Sequence, residues 1–122
     1  MAPKVWMEED GIMRVDYGPD AHVTLESVQH IARLAYDICS DKHPALITAQ
    51  RTVKVDNEAL KYLQGEEYRR ISAAVAVVTK TPLERFLLRM YATLQPPTFP
   101  VKGFSSEAEA LAWLESYRSP KG

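Results

Sequence analysis

SAAVAVVT, Ser72 to Thr79, is the stretch that decides the fold. Between its two polar ends every residue is small or β-branched and apolar, with no polar alternation, so neighbours must cover both of its faces. A strand of that kind sits at the centre of a mainly parallel sheet, and parallel neighbours are reached only by crossovers long enough to hold a helix. The residues that follow supply one. Thr81, Pro82 and Glu84 read as an N-cap, a proline at the first helical position and a capping-box glutamate. Leu83, Leu87, Met90, Tyr91 and Leu94 then share one helical face, and Pro96-Pro97 prevents continuation.

Toward the N-terminus the same grammar repeats. Pro44 opens ALITA, a second short apolar run of the covered-strand type, and Asp56 or Asn57 can cap a helix carrying Ala59, Leu60 and Leu63 to about Arg69. Gly65 weakens that helix by about 1 kcal/mol relative to Ala. Thr24 caps an earlier helix, Leu25 to Cys39, with Val28, Ile31, Ala32, Ala35 and Ile38 at helical spacing. Before it, KVWME and IMRVDY flank Glu9-Asp10-Gly11, an Asp-Gly turn that makes a hairpin of the first two strands.

Toward the C-terminus, TFPVKGF has strand character, but Pro100 cannot donate to a ladder, which puts this strand at a sheet edge. Ser105-Ser106 with Glu109 resembles a capping box that opens a last helix through Ala108, Leu111, Ala112 and Leu114. Residues 118–122 read as a frayed tail. The expected fold is α/β, a single domain over residues 1–122: an N-terminal β-hairpin, then alternating helices and strands in the order ββαβαβαβα, with a mostly parallel five-stranded sheet wound as one βα superhelix.

Composition bounds the function. The chain has 122 residues, 46% of them apolar, an ordinary balance for one compact core. Fifteen Lys and Arg against sixteen Asp and Glu give a formal charge of -1, without the basic excess that binding a phosphate backbone requires, so no nucleic-acid partner is expected. The single Cys39 cannot form an internal disulfide, and MAPKVWMEED lacks the apolar core of a secretory signal, so a cytoplasmic setting is expected. No apolar run is long enough for an integral membrane segment.

The element order, the opening VWMEEDGIMRVDY, the central SAAVAVV and the ending KGFSSEAEALAWL resemble the SpoIIAA-like, STAS-type superfamily, and within it a set of small bacterial STAS-like proteins that end in a Phe, an acidic-alanine helix start and a Trp-Leu pair. Here those residues are Phe104, Ala110, Trp113 and Leu114. The resemblance covers nearly the whole chain. It implies a non-enzymatic domain that binds partner proteins, in which a serine of an Asp-Ser motif after the third strand is phosphorylated as a switch. The matching segment, Arg51 to Asn57, contains no Asp-Ser pair, so the phosphoswitch has no residue to carry it.

No catalytic residue, metal site or cofactor is expected. His22, His30, His43 and Cys39 lack zinc-site spacing, Cys39 continues an apolar helix face, and the phosphate-binding and hydrolase glycine motifs are missing. Glu8-Glu9-Asp10 belongs to a hairpin turn, while Glu107 and Glu109 favour a helix N-terminus. Arg69-Arg70 and Arg85 with Arg89 read as solvated faces with local ion pairs, with a basic stripe for a partner as the alternative.

The candidate ligand or partner site follows from topology. In open parallel sheets ligands bind beyond the carboxyl ends of the strands, where helix N-termini also gather. That rim would hold Gln50, Arg51 and Thr52 after the third strand, Thr79, Lys80 and Thr81 after the fourth, and Ser105 and Ser106 after the fifth. Trp6, Met7, Met13 and Tyr17 in the hairpin cover the sheet edge or form a self-association face, and a homodimer, through the hairpin or the exposed side of a helix, is the expected assembly. Two uses stay open: a regulatory or protein-interaction module, and a carrier or sensor of a small apolar or anionic ligand, as in the CRAL-TRIO domains that share this superhelix.

Overall fold

A computed structural model describes residues 3–50, 52–82, 84–86, 88–89 and 99–118, with Thr52 and Val53 described by backbone alone. The hairpin forms from β1 (Lys4–Met7) and β2 (Met13–Asp16), antiparallel with Met7 opposite Met13. Gly11 takes a left-handed φ of 78° and its amide donates to the Glu8 carbonyl at 3.0 Å, which closes the turn. Asp10 locks the return: it accepts two hydrogen bonds of 2.8 Å from the Arg14 guanidinium and one from the Ile12 amide. The guanidinium holds this carboxyl below its ordinary range.

From β2 the chain steps through a five-stranded sheet. Strand order is β1, β2, β4 (His43–Thr48), β6 (Ser72–Val78), β7 (Val101–Phe104), and every pair after the hairpin is parallel. β7 is one edge of the sheet, as expected from Pro100, and β1 is the other. The Pro100 carbonyl, its one backbone group able to hydrogen-bond, accepts from the Val75 amide at 2.9 Å.

Helix α1 (Leu25–Ile38) starts at Thr24 as expected, in a reciprocal cap with Ser27: the Ser27 amide donates to the Thr24 hydroxyl at 3.0 Å and the Thr24 amide to the Ser27 hydroxyl at 2.9 Å. Val28, Ile31, Ala32 and Ala35 are buried, while Ile38, expected on the same face, is 45% exposed because the helix ends there. The expected second helix is two, α2 (Asn57–Leu63) and α3 (Glu66–Ile71), separated at Gly65, which is the N-cap of α3. Asp56 precedes α2 without a side-chain cap bond, because its carboxylate meets His22 at 3.1 Å instead.

One layer of core packs Ala32, Ala35, Tyr68 and Ile71 against Met13, Ala45 and Val75, so α1, α2 and α3 lie on one face of the sheet. Helical residues after Pro82 join them: a Cβ on Gly103 would lie 3.0 Å from the Leu88 side chain, which explains a glycine in β7. On the other face Ile12, Leu46, Ala74, Ala76 and Val78 are covered by Ala110 and Leu114 of the last helix, Glu107–Leu114. Both faces of β6 are therefore buried, and its small side chains let two layers approach. The helix end at Pro96-Pro97 and the tail beyond residue 118 fall outside the described residues.

Two strands were not anticipated. β3 (Ala21–Val23) and β5 (Thr52–Val55) pair in parallel as a separate two-stranded sheet built on the extensions of β2 and β4.

Candidate functional site

The four parallel strands deliver their carboxyl ends to one rim, and the predicted residues divide there into two halves. On the β6 and β7 side, Thr79 is 6% exposed and its amide and hydroxyl both donate to the Phe104 carbonyl, at 2.8 and 3.3 Å. It ties two strands together. Lys80 and Thr81 are exposed, and their amides both donate to one Glu84 oxygen, at 2.9 and 3.2 Å, while the Glu84 amide donates to the Thr81 hydroxyl at 3.1 Å. After β7, Ser106 repeats the arrangement: its hydroxyl accepts from the Glu109 amide at 3.2 Å and donates to the Glu109 carboxylate at 3.1 Å, and the Ser105 hydroxyl lies 3.4 Å from the same oxygen. Each of these helix starts already holds a carboxylate of its own chain at its positive end.

On the β2 and β4 side the chain turns away. The Gln50 amide donates to the Gly18 carbonyl at 2.8 Å, with Gly18 in the left-handed region at φ 79°, and Thr52 begins β5 opposite Ala21. The small sheet thus draws Thr52 toward β3, away from Lys80. Arg51 lies outside the described residues.

Beneath the small sheet is an apolar space of about 70 Å³ lined by Val15, Tyr17, Val28, Ile31, Leu63 and Tyr68, among others. Burial pushes the Tyr17 hydroxyl well above its ordinary range and that of Tyr68 up to about 12, the latter opposed by a hydrogen bond from Ser72. Both tyrosines are neutral core residues. His43, just before the Pro44 expected to open the strand, itself opens β4 and is 4% exposed; burial holds its pKa below the ordinary 6.5, and its Nδ1 donates to the Asp41 carbonyl at 2.9 Å. Cys39 is half-buried beside the core. Among the described residues no three His, Cys, Asp or Glu side chains come together as metal ligands.

The hairpin residues part company. Met13 is fully buried and Met7 packs on the helix-covered core, whereas Trp6, on the other face, is 39% exposed and donates its indole N–H to Glu8 at 3.0 Å.

A second concave region was not anticipated from sequence. A cleft of about 550 Å³ runs between α1 and the α2–α3 pair, with Ala32 and Ile71 as floor and Gln29, Arg33, Tyr36, Tyr62, Glu67 and Arg70 as walls. The Tyr62 hydroxyl donates to Glu67 at 2.7 Å, and partial burial together with that bond pushes it up to about 12. The available signal was the spacing of Gln29, Ala32, Arg33 and Tyr36, one helix face that mixes a small residue with long polar ones.

A hairpin followed by parallel βα units with a last helix on the opposite face is the SpoIIAA-like fold. The chain superposes with a TM-score of 0.61 on the crystal structure of an uncharacterised protein of the DUF3478 family with a SpoIIAA-like fold from Shewanella loihica PV-4, at 19% identity, over 93% of this chain and 92% of that one. At that identity the likeness carries the fold alone. Residues 5–118 match a domain of unknown function, DUF7793, and the chain belongs to that family. No functionally curated relative matches it. Among the described residues no helix is long and apolar enough to cross a membrane.

Proposed function

We propose that this chain is a non-catalytic regulatory or protein-interaction module whose partner docks on the β6–β7 half of the strand-end rim, on Lys80, Thr81, Ser105 and Ser106 above the buried Thr79, with Gln50 at its border. The observation that carries the reading is the internal capping. Glu84 and Glu109 occupy the helix starts where a free phosphate or carboxylate would bind, so an incoming anion meets negative charge and amides already engaged. What is left is a preformed polar surface, and neither concave region includes a rim residue. Small ligands favour concave, largely apolar sites of roughly 300–1,000 Å³; a protein surface needs no such cavity. The apolar space beneath the small sheet, at about 70 Å³, is too small for a lipid, which weighs against a CRAL-TRIO-like carrier. Most groups with displaced pKa values also fit a non-catalytic reading: Asp10, Arg14, His43, Tyr17 and Tyr68 serve the hairpin and the core, and Tyr62 alone among them lines the cleft.

Affinity capture tests this with three baits: the unmodified chain, Lys80→Glu, and Glu26→Gln as a distant surface control. A partner held by the first and third and lost by the second supports the rim. A partner held equally by all three, or no reproducible partner, overturns it. Self-association is proposed through the β1 edge, where Trp6 is the exposed aromatic. Sedimentation of the unmodified chain and of Trp6→Glu decides that point, a concentration-independent monomer in both ruling the contact out.

A further inference from the structure

The cleft between α1 and α3 differs from the helix starts of the rim: among the described residues, its two arginines are not held by any carboxylate of the chain. On α3, Arg69 pairs with Glu66 at 3.3 Å, while the adjacent Arg70 lines the cleft. From α1, Arg33 lines the other wall, close enough for its charge to be felt at the Tyr62 hydroxyl. Among the described residues neither Arg33 nor Arg70 makes a hydrogen bond or ion pair. Glu67 is the one acidic group in the lining, and one of its oxygens is engaged by Tyr62. Two arginines and one carboxylate leave the lining with a net charge of about +1.

The same cleft also carries apolar surface. Tyr36, 57% exposed, and Tyr62 contribute rings to the walls, and the floor is the aliphatic pair Ala32 and Ile71. The volume of about 550 Å³ falls within the range of small-ligand sites. Guanidinium groups bind planar carboxylates through paired N–H donors and also stack on flat π surfaces. From the unpaired Arg33 and Arg70 facing one cleft lined by Tyr36 and Tyr62, we infer that this cleft binds a small molecule with a flat apolar body and a single carboxylate. The carboxylate lies between the two guanidiniums, and the flat body lies along the tyrosine rings above Ala32 and Ile71. A monoanion matches the net charge of the lining. A free inorganic anion would leave the rings and floor uncovered, and a neutral flat molecule would leave both arginines without a partner. This site is separate from the strand-end rim and does not depend on a protein docking there.

The test is a titration of the isotope-labelled full chain, followed by amide chemical shifts, with 2-naphthoate, with the neutral 2-naphthalenemethanol and with inorganic phosphate. Naphthoate is expected to bind with about millimolar affinity, as its size allows, shifting amides of 29–36 and 62–71 while leaving those of 79–81 and 105–106 in place. The alcohol and phosphate are each expected to bind at least about tenfold more weakly, by the loss of one charged contact set or of the apolar surface. Arg33→Gln and Arg70→Gln, both at exposed positions that leave the core intact, should each weaken naphthoate about fivefold to tenfold, with partial recovery in the Lys variants. Glu67→Gln should tighten it. Equal binding of naphthoate to the Arg33→Gln/Arg70→Gln double variant, equal binding of the alcohol or of phosphate, or the absence of shifts in these two helices would each overturn the assignment.

Discussion

The rim and the cleft both gather polar and charged side chains beside helices and leave them in different states. At the rim, hydroxyls, amides and carboxylates saturate one another: Glu84 takes two amides and Glu109 gathers Ser105 and Ser106. In the cleft, Arg33 and Arg70 make no hydrogen bond or ion pair among the described residues, and the one acid of the lining is held by a tyrosine. The difference teaches that a rim lined by helix starts is not by itself an anion site. What counts is whether the chain supplies its own anion, and here a glutamate three residues after each cap does so.

The largest expected effect would erase the contrast altogether. Leu46 is 1% exposed at the sheet centre, and Leu46→Ala should cost about 3 kcal/mol, with a range of roughly 2–5, in denaturant unfolding. Rim and cleft amides should lose exchange protection together; a loss confined to one region would mean that they rest on separate cores. Next come the caps. Thr81→Ala and Ser106→Ala should each lower stability by about 1 kcal/mol, since each leaves a helix-start amide unsatisfied. Unchanged melting curves would show the rim to be less committed than its hydrogen bonds indicate, and would return it as an anion site.

Arg33→Gln and Arg70→Gln should change stability by no more than about 0.5 kcal/mol, as exposed residues outside the core do. A loss above about 1 kcal/mol in either would make that arginine structural and remove the asymmetry between the two regions. The most gradual effect lies away from both sites. The His43 pKa is depressed in the folded chain, so the unfolded chain binds more protons below the ordinary 6.5; stability is fully present above that value and declines as pH falls from about 6.5 toward the folded pKa. His43→Gln should flatten the midpoint-against-pH curve in that window, while the cap variants keep its slope.

Much of the fold was legible because its signals are local. Thr24, Thr81 and Ser106 announce helix starts through hydroxyls that reach an amide three residues on, and Gly11 announces a turn through a φ that other residues avoid. The small sheet was not legible: β3 and β5 carry no turn or crossover signal of their own, and each becomes a strand only because the other lies beside it. Gly65 shows the limit of propensity. Sequence read it as a weakness within one helix, whereas packing on the sheet used it to end one helix and begin another.

The site residues divide in the same way. Thr81 with Glu84, and Ser106 with Glu109, could be read as caps from spacing alone, and the caps in turn limit what the rim can bind. The chain by itself determined the SpoIIAA-like order of elements, the buried central strand and the internal capping, because alternation, β-branching and short-range hydrogen bonds act between neighbours in sequence. Only the tertiary structure decided that Ile38 meets solvent and His43 does not, that Thr52 leaves the rim for a second sheet, and that Arg33 and Arg70 border one cleft. Those outcomes depend on how each crossover lays its helix against the sheet, a placement set by packing between residues far apart in the chain.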